Sequence, residues 1–437
     1  MLKYLGVVLS AIFVDFYLFP LAVVSLGGAN TKMLMAAIGV ILVLLDGARH
    51  KNDFLNNTFI YLTVWAVMVS LCGLTSMVIN NTTDTTYATY VISMWVWIFA
   101  AFVVVKFIYT IHGHINIKLL ANYLTGVCTF QCLWAIGLEY NSSFQAFIST
   151  HNFFGLAIYY DMGDSGRMQG LGCAVDPAGI RFAACLIILG YVTINRTLSK
   201  YFKLETSIYL ISFVIITIIG NMISRTTSIG TILVILYWLW ISIFKCGKTR
   251  DTLKQVWYTL LICLVISLPI LIYYYDVDSH FRENLRFGFE GFFSLVEQGS
   301  WKVSSNERLK EMIVWPDNLR TWIIGDGYFS NPSKGKDPYY IGEIFFGFYK
   351  NTDIGYIRFI YYFGVIGLLL FIGFFIYATK SCISKFPKDK LLFISLLILN
   401  FIIWSKVSTD IFTIFALFLA ATPSLDNSNV VISVKTE

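Results

Sequence analysis

The sequence predicts an all-α polytopic membrane protein with about twelve membrane-spanning helices and one large loop on the outer side. Three observations carry this reading. The 437 residues are 57% hydrophobic and 13% charged, with a mean hydropathy of +0.70, a composition no ordinary soluble domain has. Apolar runs of roughly 17–25 residues, the length that crosses a bilayer, recur along the chain. Basic residues concentrate in alternate short loops.

In chain order the span cores are 4–27, 32–46, 57–79, 87–109, 118–138, 175–195, 205–223, 226–244, 256–275, 354–378, 391–404 and 406–421. The opening Met1-Leu2-Lys3 before an apolar run has the look of a secretion signal. No small-residue cleavage site follows and more spans come at once, so it reads as a retained helix. The basic loops hold Arg49 and Lys51; Arg196, Lys200 and Lys203; Lys245, Lys248, Arg250 and Lys254; and Lys380, Lys385, Lys388 and Lys390. The loop 80–86 (NNTTDTT) has no cation. Even spacing of the basic loops puts both termini in the cytoplasm. The chain then divides into nine spans over 1–275 with an outer segment at 139–174, a large outer loop at 276–353, three closing spans over 354–421, and a cytoplasmic tail at 422–437.

The net charge of +6 is largely this topology signal. No basic run is interleaved with aromatics on a soluble module, so nucleic acid is not an expected partner. The eight cysteines are scattered, mostly within spans, and form neither a disulfide framework nor a CxxC pair. His112 and His114 form an HxH on the cytoplasmic side with no further ligands nearby, which reads as a solvated loop, and no metal site is expected.

Cations on the outer side run against the positive-inside bias and call for an anion to hold. Arg167, Arg181 and Arg225 lie at outward ends of spans. Asp176-Pro177 is expected to begin a helix, aspartate as N-cap and proline as first helical residue. Arg181 follows about 6–8 Å deeper at about 1.5 Å per residue. Asn351-Thr352-Asp353 is expected to begin another helix, again with an arginine, Arg358, five residues after the aspartate. Each site offers a carboxylate, helix N-terminal amides and a guanidinium whose fork suits phosphate oxygens. Either alone reads as a capped helix with a snorkelling arginine; two together with Arg225 in ISRTTS favour anion binding. Elsewhere, Asp15 is costly in its span unless paired. Lys106 reads as snorkelling, Lys406 and Asp410 as an i,i+4 pair on one helix, and Gly325-Asp326-Gly327 as a turn. The segment SNERLKEMIVW in the large loop reads as a short helix.

GRMQGLGCAVDPAGIRFAA (166–184), ISRTTSIGTILVIL (223–236) and IIGDGYF…NTDIGYIRFIYYFGVIGLLLF (323–371) together resemble the O-antigen polymerase and O-antigen ligase superfamily of bacterial inner-membrane glycosyltransferases. The shared pattern is an arginine and glycine before a proline-started helix, then a Ser-Arg-Thr helix end. A large periplasmic loop follows, closing on a Gly-x-x-Gly helix, here Gly364 and Gly367. The resemblance covers roughly 160–380 and implies a GT-C-like, O-antigen ligase-like fold. It implies polymerisation of undecaprenyl-diphosphate-linked repeat units into O-antigen or a related surface polysaccharide at the periplasmic face. It implies neither cofactor nor metal, and as partners a lipid-linked glycan donor and acceptor, the bilayer and a chain-length regulator. By the resemblance Arg167 and Arg225 engage the diphosphate; Arg181 and Arg358 join them by position in this sequence.

Ligases of the superfamily have a histidine near the start of the closing helix, where this chain has Asn351-Thr352-Asp353. That favours a polymerase over a ligase and makes Asp353 the first candidate for the base. Asp176, Asp326 and Glu343 remain as alternatives. A helix N-terminus is expected to lower the pKa of Asp353 and leave it an ionised, weak base. A flippase of lipid-linked oligosaccharide would carry cations along a path through the bilayer and show internal repeats; neither is evident.

Overall fold

The computed structural model describes residues 2–23, 27–48, 55–150, 156–157, 167–173, 175–195, 202–244, 248–332, 337, 340, 342–344 and 347–421. The expected tail 422–437 lies outside the described residues, as do Arg49, Lys51, Arg196, Lys200 and Lys245 of the basic loops.

The first half holds α1 (Leu2–Leu18), α2 (Thr31–Ala48), α3 (Asn57–Asn80), α4 (Tyr90–His112), α5 (Ile117–Tyr140) and the short α6 (Ser142–Thr150). Next come α7 (Val175–Asn195), α8 (Phe202–Ile223), α9 (Thr227–Phe244) and α10 (Lys248–Val277). Four short helices cover the large loop: α11 (Ser279–Gly288), α12 (Glu290–Gln298), α13 (Ser304–Glu311) and α14 (Leu319–Ile323). The chain closes with α15 (Gly355–Lys385), α16 (Lys390–Trp404) and α17 (Phe412–Ala420). Strands β1 (Ala22–Val23) and β2 (Leu156–Ala157) pair antiparallel and tie two loops together. Among the described residues, eight helices, α3, α4, α5, α7, α8, α9, α10 and α15, are long and apolar enough to cross a membrane. The chain is a multi-pass, all-α membrane protein.

The buried share of each span ranks the helices. For α7 it is 89%, for α10 only 6%, so α7 is the central post and α10 stands at the margin. Small residues let α9 close on α7. A Cβ at Gly230 would lie 2.5 Å from Ala183 Cα, and one at Gly190 would lie 2.5 Å from Val234 Cγ1. Such stripes bring helix backbones together where lipid gives no hydrophobic drive for association. Asp15, expected to be costly unless paired, accepts from Gln131 Nε2 at 2.7 Å. Lys106, read as snorkelling, is partly exposed and ion-paired with Asp46.

The closing helix α15 is broken at Phe363 and Gly364, where Gly364 adopts φ +68°. A Cβ there would lie 2.0 Å from the Ile323 carbonyl oxygen, so the end of α14 docks into the break. The carbonyls of Tyr361 and Tyr362 accept the N–H groups of Asp326 and Gly327 at 2.6 and 3.2 Å, which satisfies backbone groups left over at the break. Gly325-Asp326-Gly327 is the expected turn, with both glycines at positive φ. The cation-free loop 80–86 holds its other side. Asn80 and Thr82 donate to the Gly325 and Gly327 carbonyls at 2.9 and 3.0 Å, and Asp84 accepts the N–H groups of Phe329 and Ser330.

The expected last span, 406–421, is not one helix. α16 ends at Trp404, residues 405–411 form a turn, and α17 has nine residues. Asn400 Oδ1 accepts the Ile411 N–H at 3.1 Å, folding the turn back onto α16, and Asp410 accepts the Phe412 N–H at 2.8 Å where α17 starts. Lys406 and Asp410 therefore do not share a helix, and the i,i+4 pairing expected of them has no geometric basis.

Candidate active site

The turns at one end of the bundle meet around a cavity of about 600 Å³. Arg167, Asp176, Arg225 and Asp353, drawn from three separate stretches of chain, line it together with Arg308 of α13 and Lys406 of the α16–α17 turn. Four cations face two carboxylates, so the cavity suits an anion.

Arg167 reaches the cavity from a short hairpin. Gly170 and Cys173 pair through their backbones at 2.8 and 3.3 Å, with Gly172 at φ +64° in the turn. The fully buried side chain of Gln131 fixes this hairpin: its Oε1 accepts the Leu171 N–H at 2.9 Å and its Nε2 donates to the Leu171 carbonyl at 3.0 Å. A side-chain amide thus acts as a neighbouring strand would, and Asp15 holds that amide in turn. Asp176 lies in the first turn of α7, which begins at Val175 rather than at Pro177. It accepts a long hydrogen bond from Thr226 Oγ1 at 3.4 Å, linking α7 to the α8–α9 turn. Gly179 makes that approach possible, since a Cβ there would lie 2.4 Å from Ser224 Oγ.

Arg225, in that turn, is the most engaged cation of the site. Its Nε donates to the Phe287 carbonyl at 2.7 Å, and its Nη1 lies 2.6 Å from Glu290 Oε2 and 3.3 Å from the hydroxyls of Ser304 and Ser305. The guanidinium carbons of Arg225 and Arg167 lie 4.1 and 4.8 Å from the Phe287 ring centroid. Burial lowers the pKa of Arg225, Glu290 works against that shift, and Arg167 adds to it.

Asp353 stands two residues before α15, whose N-cap is Ile354, so it does not occupy the capping position. The expected lowering of its pKa is reversed. Half-burial raises it above the usual carboxylate value, Asp176 adds to the rise, and Arg358, Arg308 and Lys406 only partly offset it. The helix N-terminus was expected to dominate; loss of water dominates instead.

The other anticipated site residues sit elsewhere. Arg358 is buried, its guanidinium 3.6 and 3.5 Å from the ring centroids of Phe329 and Phe348. It donates to Ser408 Oγ at 2.6 Å and to the Phe329 carbonyl at 3.2 Å. It therefore braces the large loop against the α16–α17 turn behind the cavity wall. Arg181 lies over the Phe19 ring at 5.5 Å, in electrostatic reach of Tyr17, Lys32 and Asp410. Five residues past Asp176 along a helix is about 140° beyond a full turn, so Arg181 leaves the face that lines the cavity. Asp326 accepts from Thr321 Oγ1 at 2.5 Å and from Tyr349 OH at 3.0 Å, both lone-pair sides engaged within the loop. Glu343 is exposed and not among the cavity's lining residues; its backbone carbonyl, not its carboxylate, accepts from Asn331 and Tyr340. His112 of the HxH bonds the Tyr123 hydroxyl at 2.9 Å.

Two cations of the cavity, Arg308 and Lys406, are not among the site residues expected from the sequence. Arg308 lies in SNERLKEMIVW, which reads only as a short helix and of which α13 takes the part up to Glu311. Lys406 reads as the partner of Asp410.

Among known proteins, the chain matches no family model, no curated protein and no solved structure.

Proposed function

We propose that this chain is a polysaccharide polymerase of the bacterial inner membrane. It would join undecaprenyl-diphosphate-linked repeat units into O-antigen or a related surface polysaccharide by metal-independent inverting glycosyl transfer. On this reading about twelve helices form a GT-C-like fold, both termini are cytoplasmic and the cation-lined cavity opens to the periplasm. The observation that carries the proposal is the meeting of Arg167, Arg225, Arg308 and Lys406 with Asp176 and Asp353 in one cavity. A diphosphate leaving group needs such fixed positive charge, and an acceptor hydroxyl needs a nearby carboxylate.

The acceptor hydroxyl oxygen attacks the anomeric carbon of the donor glycan and gives its proton to Asp353. The bond from that carbon to the diphosphate oxygen breaks with its electron pair on the leaving group, and undecaprenyl diphosphate departs. Charge grows on the diphosphate oxygens as the bond breaks, and Arg167 and Arg225 are already oriented by Phe287 and the surrounding hydrogen bonds. The raised pKa of Asp353 makes it a better proton acceptor than an ordinary carboxylate. An apolar groove of about 710 Å³ between α8, α9 and α10, lined by side chains such as Phe213, Trp257 and Leu268, gives room for a polyprenyl chain.

The test is reconstitution of the purified protein with the lipid-diphosphate-linked repeat unit, resolved on a gel. A ladder of increasing length with released undecaprenyl diphosphate is the expected result. Absence of a ladder, with movement of the substrate across a liposome bilayer, would make the protein a transporter and the arginines a capture site.

A further inference from the structure

A second cavity, about 760 Å³ in volume, lies over α11, α12 and α13. It shares Arg225, Phe287, Ser304 and Arg308 with the first, so these four residues form a common wall. The charge balance of the two spaces differs. The first has four cations and two carboxylates. The second has four cations, Arg225, Arg286, Lys302 and Arg308, and four carboxylates, Glu290, Glu297, Glu307 and Glu311. Two of those carboxylates are already committed to arginines. Arg286 forks onto Glu297 with both bonds at 2.6 Å, and Glu290 holds Arg225. A diphosphate has no net attraction to such a space. A ligand rich in hydroxyls and without charge does, because planar carboxylate, amide and guanidinium groups offer donors and acceptors at close spacing. The Arg286 guanidinium lies 4.9 Å from the Phe293 ring centroid, and Phe287 and Phe293 are the aromatic side chains lining the space. Its volume falls within the about 300–1,000 Å³ typical of ligand sites.

We infer that this second cavity is a glycan subsite, binding uncharged sugar residues of the acceptor and presenting them across the Arg225–Phe287 wall to the diphosphate cavity. The inference rests on the polymerase reading and adds to it the place of the second substrate. It divides the residues by ligand: Arg167 and Lys406 serve the diphosphate, Gln298 and Glu311 the sugars, and Arg225 adjoins both.

The test uses the full-length protein in lipid nanodiscs and two probes, measured by calorimetric titration. One is inorganic pyrophosphate. The other is a set of short fragments of the source cell's own surface polysaccharide, freed of lipid and phosphate. Gln298→Ala and Glu311→Gln, both at exposed positions, are expected to weaken fragment binding about tenfold, equivalent to ~1.4 kcal/mol, and to leave pyrophosphate binding unchanged. Arg167→Ala is expected to do the reverse. Pyrophosphate binding without fragment binding would overturn the glycan subsite alone. So would fragment binding that survives both cleft variants yet disappears in Arg167→Ala. Failure of the wild-type protein to bind either probe would overturn the polymerase reading and the subsite with it.

Discussion

The guanidiniums of Arg167 and Arg225, 58 positions apart by their numbers, share a single aromatic ring. Their central carbons lie 4.8 and 4.1 Å from the centroid of Phe287. Two like charges brought this close repel, and the ring's negative face offsets part of that cost. Phe287 is thus a spacer that lets two cations face one anion.

The consequence is a graded series. Arg167→Ala and Arg225→Ala are each expected to abolish polymer while the protein still inserts. Phe287→Leu keeps both charges and loses only the ring, worth about 0.5–2 kcal/mol in all, so activity should fall about 2- to 30-fold. Gel analysis of the reconstituted reaction, with membrane insertion checked by detergent extraction, separates these outcomes. Full activity in Phe287→Leu would remove the ring from the account.

The pH profile tests the role of Asp353. To take a proton it must be ionised, and burial places its pKa above the ordinary value, about 3.9 for a free aspartate. Activity should therefore be complete at higher pH and fall as pH drops through that raised value. Asp176 contributes to the rise, so Asp176→Asn should move the acid limb to lower pH. Arg308 opposes it, so Arg308→Ala should move the limb upward. Both variants also change the cavity lining, and the informative quantity is the inflection, not the plateau. An inflection that stays fixed in both would assign the base to another group.

Arg167, Asp176, Arg225 and Asp353 were legible as site candidates, the arginines as cations against the positive-inside pattern and the aspartates as residues beside expected helix starts. Burial and direction were not legible. Arg181 and Arg358 repeat the same spacing from an aspartate, yet one side chain turns toward Phe19 and the other is enclosed by Phe329 and Phe348. Rotation along a helix and the packing of distant rings decide that, and neither is written in local spacing. Lys406 entered the cavity because Asn400 folds the turn back on α16, a contact between residues whose pattern reads as continuous helix. The loop NNTTDTT gave only its lack of cations, whereas its side chains anchor residues 325–330.

Asp326 offers a control that separates structure from chemistry. Its carboxylate accepts from Thr321 and Tyr349, both buried. Asp326→Ala leaves two donors without a partner, at a cost of about 1–3 kcal/mol each. The thermal unfolding midpoint should fall, and activity per folded molecule should stay within about twofold. A folded Asp326→Ala protein without activity would return Asp326 to the list of candidate bases.

Gln131 gives the sharpest test of positioning at a distance. It lies in α5, buried inside the bundle, and is not among the residues that line the cavity. Its amide nevertheless makes both backbone hydrogen bonds to Leu171 and takes a third partner in Asp15. Gly170 completes the fit, because a Cβ there would lie 2.5 Å from Gln131 Oε1. Gln131→Leu would strand the Asp15 carboxylate and the Leu171 backbone together, so lost stability alone could explain its effect. The double variant Gln131→Leu with Asp15→Leu removes the buried charge and keeps the apolar volume. Replacing both partners of a buried polar pair can be nearly neutral for stability, whereas the Arg167 hairpin still loses its two anchors. The double variant is expected to be more stable than Gln131→Leu alone, keeping only the cost of the two unpaired Leu171 backbone groups, yet to bind inorganic pyrophosphate about tenfold more weakly, as a ~1.4 kcal/mol loss of cation placement requires. Asp15→Asn, which retains an acceptor for the Gln131 amide, should bind nearly as the wild type does. Wild-type pyrophosphate affinity in the double variant would show that the hairpin holds Arg167 in place without Gln131.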